Sequence, residues 1–186
     1  MYHYLGKAWK QTTPALMRER LIEWRAGNSV VKLDKPTRLD KARMLGYKDK
    51  KGIVVVRVRL LRGGRKRTRH KHGRKSRKQH VRKILKMNYR WVAELRAAKK
   101  FSNLEVLNSY NTGKDGKYYF FEVILVDPER PEILHDHNFA WVADKANRGR
   151  VYRGLTSAAR KSRGMRSKSP TNKTRPSQRA WDRQGK

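Results

Sequence analysis

Twelve cations fall within the 22 positions from Arg62 to Lys83, and no carboxylate stands between Asp49 and Glu94. The run holds Arg62, Arg65, Lys66, Arg67, Arg69, Lys71, Arg74, Lys75, Arg77 and Lys78, with Gly63 and Gly64 at its start and His70 and His72 inside it. Guanidinium groups grip phosphate bidentately and stack on bases, so an Arg-rich run favours a polyanion over bulk water. The two glycines let a backbone come close to its ligand, and the two histidines suit phosphate contact or base stacking better than metal binding among so many cations. A solvated helix face would need apolar residues at helical spacing and acidic partners four residues away. From Arg62 to Lys75 both are missing.

A second basic set lies in the last quarter: Arg150, Tyr152 and Arg153, then Arg160, Lys161, Arg163 and Arg166, and finally Trp181 between Arg179 and Arg183. Tyr152 and Trp181 either stack on unpaired bases or pin the chain end back onto protein. A third set, Arg38, Lys41 and Arg43, sits on a short predicted helix where solvent and phosphate are equally good partners for it.

Catalytic groupings are missing. Gly113 to Lys117 has the glycines of a turn and is followed by Tyr118 where a phosphate loop needs Ser or Thr. His135-Asp136-His137 offers metal ligands, but its only near additions are Asn138 and Asp144, and we read these as loop residues. Glu105, Glu122, Asp127, Glu129 and Glu132 have no distinctive spacing and read as surface charges. The expectation is no enzyme, no metal and no cofactor.

The elements that must position these groups follow from composition and period. The chain has 186 residues, 49 Lys and Arg against 15 Asp and Glu, a net charge of +34 and no cysteine. Disulfide frameworks and thiol chemistry are thereby excluded. No signal-peptide core or membrane-length apolar run is present, which predicts a soluble intracellular chain without a membrane partner or small-molecule substrate. Charge is segregated: 21 basic residues face one acidic residue between 50 and 100, whereas 8 acidic residues face 3 basic ones between 101 and 144. The acidic stretch predicts a face turned away from the polyanion or toward a basic protein neighbour.

Thr13-Pro14 starts a helix that Gly27-Asn28 ends, with Leu16, Met17, Leu21 and Trp24 as its core side. A second helix runs from Thr37, with Asp40 completing an approximate capping box, to Gly46. Gly52 to Leu61 is a strand with one apolar and one basic face. Helical period returns from about Ser76 through Leu95, and Leu104–Tyr110 and Tyr118–Val126 form a hairpin about a turn at 111–117. Beyond Lys145 the hydrophobic period is lost. The predicted fold class is α/β, of α+β character: a small, mostly antiparallel sheet flanked by helices. One core over 1–144 is interrupted by a basic arm at about 62–80 and followed by a basic extended tail over 145–186.

Five strings in order carry a resemblance: Pro36 to Arg43 with Leu45 to Lys48, Arg62 to Arg67, Val106 to Tyr110, Phe121 to Pro128, and Arg153 to Gly164. Together they resemble the archaeal and eukaryotic family of large-subunit ribosomal protein number fifteen, which is unrelated to the bacterial protein of that number. The resemblance implies a structural, non-enzymatic part of the large subunit in the cytoplasmic ribosome. It implies large-subunit ribosomal RNA and neighbouring ribosomal proteins as partners, and on charge the acidic 101–144 region is one surface open to the latter. The alternative is a chromosomal DNA-compacting or general RNA-binding protein, which shares the charge but needs symmetric wrapping surfaces if it bends DNA.

Overall fold

The computed structural model describes residues 1–66, 82, 83, 85 and 87–166, with the backbone alone for Arg65, Lys66, Arg82 and Lys83. The expected RNA-contacting residues Arg67, Arg69, His70, Lys71, His72, Arg74, Lys75, Arg77, Lys78 and Trp181 lie outside the described residues.

Two helices open the chain, α1 over Tyr2–Lys10 and α2 over Pro14–Ala26. Thr13 caps α2 by accepting the Leu16 N–H, and Pro14 occupies the first turn, where its missing N–H costs nothing. Of the four expected core residues of α2, only Trp24 is fully buried, because it alone meets Phe120 edge to face with ring centroids 5.4 Å apart. Leu16 stays exposed. The helix α1, which the sequence reading did not anticipate, buries no side chain completely.

The strand β1 covers Val30–Leu33, and the helix α3 covers Leu39–Met44. The predicted capping box at Thr37 does not form. The Thr37 N–H instead donates to both oxygens of Glu122, at 3.2 and 3.3 Å, and Arg38 becomes the N-cap residue. A buried carboxylate is a stronger acceptor for that N–H than a helix-turn side chain.

The central strand β2, Ile53–Leu61, pairs antiparallel with β1 on one side and with β6, Tyr118–Val126, on the other. β5, Glu105–Lys114, completes the four-stranded antiparallel order β1-β2-β6-β5. Two register shifts in β5 carry that strand through Lys114, so the turn is confined to Asp115–Lys117 and is shorter than the predicted 111–117. The Asp115 carboxylate accepts the Lys117 N–H at 2.7 Å and closes it.

One sheet face carries Val56, Val58 and Leu60 with Val106, Phe121, Val123 and Leu125 under the helix α4, Tyr89–Lys100. Each such aliphatic side chain stabilises the fold by about 1.5–3 kcal/mol on burial. The helix predicted from about Ser76 starts only at Tyr89, where Asn88 accepts the Trp91 N–H at 2.8 Å. Before it, the short strands β3 (Arg65–Lys66) and β4 (Arg82–Lys83) pair as an antiparallel ribbon. Leu85, assigned to the helix's apolar stripe, is exposed, and Ser76 to Val81 lie outside the described residues. Extended pairing of the arm's ends takes precedence over a helical period that had only two apolar residues, Val81 and Ile84, before Leu85.

The other sheet face packs Val55, Tyr110 and Ile124 against Ala42 and Tyr47. The predicted basic face of β2 is half-buried: Arg57 lies over Trp24 at 4.8 Å and Arg59 over Tyr118 at 4.9 Å. Beyond β6 come the one-turn helix α5, Pro131–Leu134, two single 3-10 turns at Ala140–Val142 and Lys145–Asn147, and the helix α6, Ser157–Ser162. The stretch from Lys145, expected as extended tail, is folded onto the core as far as α6: Val151, Ala158 and Ala159 join the main apolar cluster. Alanines let α6 approach Ala93 and Ala97 of α4 closely, which a hydropathy period cannot register. Among the described residues no helix is long and apolar enough to cross a membrane.

Candidate nucleic-acid interface

The root of the arm is held by hydrogen bonds and an aromatic shelf. Arg62 donates its backbone N–H to the Lys117 carbonyl at 2.8 Å and a guanidinium N–H to the Asp115 carbonyl, and its head lies 5.0 Å from the Tyr119 ring centroid. Tyr89 donates its hydroxyl to the Gly63 carbonyl at 2.9 Å and packs on Tyr119. Gly63 adopts φ of +97°, a conformation that side chains resist. At both Gly63 and Gly64 an added Cβ would meet nothing within 4 Å, so no protein packing demands a bare backbone at Gly64.

The ribbon then sets cation opposite cation, Arg65 against Lys83 and Lys66 against Arg82. Like charges directly opposite destabilise a strand pair, and an anion between them offsets that cost.

The C-terminal set clusters on and beside α6. Thr156 caps the helix by accepting the Ala159 N–H, and Arg160 and Lys161 stand exposed in its last turn. Cations there also complement the helix dipole. Arg163 donates to the Gly154 carbonyl at 3.0 Å, and Arg166 donates to the Ser157 hydroxyl at 2.7 Å. Arg153 donates to the Arg148 carbonyl at 3.0 Å. Arg150 lies over the Trp141 ring at 4.7 Å, and burial lowers its affinity for the proton from the ordinary arginine value. Tyr152 is 59% exposed.

Arg38 is the most internally committed of the expected cations, with Asp40 at 3.0 Å and the Trp9 ring 5.0 Å away. Desolvation pushes Asp40 upward, yet the Arg38 bond, a backbone bond and nearby charge hold its pKa below the usual carboxylate value. Arg43 lies 5.8 Å from the Tyr47 ring, and Lys41 is half-buried.

Two carboxylates that the sequence reading missed or misplaced organise these sets. Glu122, expected on the surface, is wholly buried. It accepts the Tyr110 hydroxyl as well as the Thr37 N–H and faces Arg57 across the strand pair. Glu94, on α4, is equally buried and accepts the Ser109 hydroxyl at 2.5 Å and the Thr156 hydroxyl at 2.6 Å. Each of those two hydroxyls already accepts an N–H, from Arg90 and Ala159 respectively, so each directs its own proton to Glu94. Burial raises the pKa of both glutamates from the ordinary value, against the pull of these bonds and of Arg57, Arg90 and Arg150. The one sequence signal was Glu94 lying three residues beyond Trp91 on an otherwise apolar helix stripe.

The remaining carboxylates of the acidic segment are largely used within the chain: Asp115 pairs with Arg25, Asp127 with Arg130, and Asp136 with Lys48 and Lys50, while Glu105 accepts the Gly149 N–H. No group of three metal-ligating side chains gathers among the described residues.

Seven carboxylates, those of Asp40, Glu94, Glu105, Asp115, Glu122, Asp127 and Asp136, are thus engaged within the chain. The family described as Ribosomal L15, of the archaeal and eukaryotic type, matches residues 1–181. This chain belongs to that family. It is 49% identical over 191 residues to the large ribosomal subunit protein eL15 of Methanocella arvoryzae, covering 100% of this chain and 97% of that relative. Membership makes the chain a structural, non-enzymatic constituent of the large ribosomal subunit in the cytoplasmic ribosome. The five strings that carried the resemblance run from the loop after β1 to just past α6.

Proposed function

We propose that this L15-family protein holds large-subunit ribosomal RNA through its basic arm, at about residues 62–80, and through α6 and the chain end beyond it. The ribbon of opposed cations carries the reading, because a strand pair that repels itself is built for a polyanion. Gly63 and Gly64 open the backbone for close approach, and Arg160 and Lys161 add exposed charge on α6. The core is one domain that presents two extensions, and specificity comes from RNA shape, since the described residues offer no single recognition helix. Neighbouring ribosomal proteins meet what the acidic segment has left, Glu129, Glu132 and Asp144.

Crosslinking followed by RNA sequencing, with sucrose-gradient fractionation of the tagged protein, tests this. The expected result is a few concentrated large-subunit sites with the protein retained in that subunit at high salt. Scattered DNA or messenger contacts that wash off with salt would favour the general-binder alternative.

A further inference from the structure

The roots of the arm and of the chain end meet on one turn of α4. Asn88, the N-cap, uses three of its bonds to join two helices. Its Oδ1 accepts the Trp91 N–H within α4, at 2.8 Å. Its Nδ2 donates to the Ala158 carbonyl of α6 at 2.8 Å, and its backbone N–H donates to the Ser162 hydroxyl at 2.9 Å. Farther along the same helix, Trp91 donates its indole N–H to the Val151 carbonyl and Glu94 holds the Thr156 hydroxyl. Residues 88, 91 and 94 thus grip the 151–162 segment at three successive helical rows. Next to Asn88, Tyr89 bonds the Gly63 carbonyl, where the arm departs, and the returning strand β4 ends five residues before Asn88.

We infer that Asn88 and Tyr89 form a junction that couples the arm root, Gly63 with the β3–β4 ribbon, to α6, so that RNA captured by one prepares the other. This rests on the RNA reading above for its ligand, but the coupling itself is a property of the protein. Each strand of the ribbon is two residues long and α6 is a six-residue helix, so both depend on what they dock against. Fixing the arm root on RNA holds Tyr89 through the Gly63 carbonyl, and with it the neighbouring Asn88 donors that hold Ala158 and Ser162. The second segment then binds with part of its ordering cost already met, which is positive cooperativity. Asn88 acts through α6 and is a positioning residue; it needs no RNA contact of its own.

Two conservative variants separate the roles in the full chain. Asn88→Ser keeps an N-cap acceptor for Trp91 and loses the donor to Ala158. Tyr89→Phe keeps the ring on Tyr119 and loses the bond to Gly63. Amide hydrogen exchange of the free protein reads the junction without RNA. Tyr89→Phe should speed exchange of Arg160 in α6 and of Arg163 at its C-cap, which it does not touch, and Asn88→Ser should speed exchange of the ribbon, each by about fivefold or more. Changes confined to the arm root for Tyr89→Phe and to α6 for Asn88→Ser would overturn the coupling.

Affinity for large-subunit ribosomal RNA gives the second reading, with the arm neutralised at Arg65, Lys66 and Arg67 and α6 neutralised at Arg160 and Lys161, singly and together. In the otherwise unchanged protein the double loss should fall short of the product of the single losses by about fivefold. In the Asn88→Ser background the losses should multiply. Multiplication in both backgrounds overturns the coupling, whereas an arm neutralisation without effect on affinity overturns the RNA reading and leaves exchange to decide the junction.

Discussion

The Glu94 carboxylate and the Thr156 hydroxyl, 62 positions apart in sequence, meet at 2.6 Å in the interior, and the same hydroxyl accepts the Ala159 N–H at the start of α6. One side chain therefore caps a helix and satisfies a buried charge. Thr156→Val removes both bonds at nearly constant volume and should cost about 2 kcal/mol, while Thr156→Ser should cost less than about 1 kcal/mol. Urea unfolding at unchanged slope checks this. A valine variant as stable as the parent would show that Glu94 does not depend on Thr156.

Lys50, the Asn138 N–H and Lys48 together hold the Asp136 carboxyl well below the usual aspartate range. A depressed folded pKa means a stabilising contribution that is complete above the unfolded value, near about 4, and lost as pH falls through the folded one. The difference in melting temperature between the parent and Asp136→Asn should accordingly be constant from about pH 5 to 7 and shrink below about pH 4. A difference that stays flat down to about pH 2 would remove Asp136 from the acid response.

Much of the sheet was legible because its information is local. β-Branched runs announced β2 and β6, and Thr13-Pro14 announced α2. Illegible features depend on distant partners: Glu122 reads as a surface acid until Thr37 is brought 85 positions across to it, and α6 reads as tail until α4 supplies a surface for Ala158 and Ala159. The arm's basic run was plain, but Arg and Lys carry no period, so nothing showed that Arg65–Lys66 would return against Arg82–Lys83. For the same reason Arg38 and Arg62 could be named as cations, but not as residues already engaged by Asp40 and by the hairpin turn.

Adjacent glycines at the arm root should respond differently to a methyl group. Gly63→Ala forces a side chain into φ of +97° and should cost about 1–2 kcal/mol even though the space is open. Gly64→Ala has open space and no such φ, so its thermal stability should stay within about 0.5 kcal/mol of the parent. Its affinity for ribosomal RNA should nevertheless fall, because the methyl group stands where a phosphate approaches the backbone. Unchanged affinity for Gly64→Ala would mean that RNA does not come close there.

Neutralising Arg65, Lys66 and Arg67 to alanine should move stability and function in opposite directions. In the free protein the change removes the cations set against Lys83 and Arg82, so the core should keep its helical and strand signal and unfold no more easily than before. On RNA the same change removes three phosphate partners. The slope of log affinity against log salt should become shallower by roughly 2–3, since each phosphate contact contributes about 0.7–0.9. Circular dichroism with urea unfolding, and RNA binding over a salt series, read the two halves separately. Loss of the core signal in this variant would mean that the ribbon supports the fold, and an unchanged salt slope would mean that these cations do not meet phosphate. Either result would break the proposed division of labour between a folded core and an arm whose cations meet an external anion.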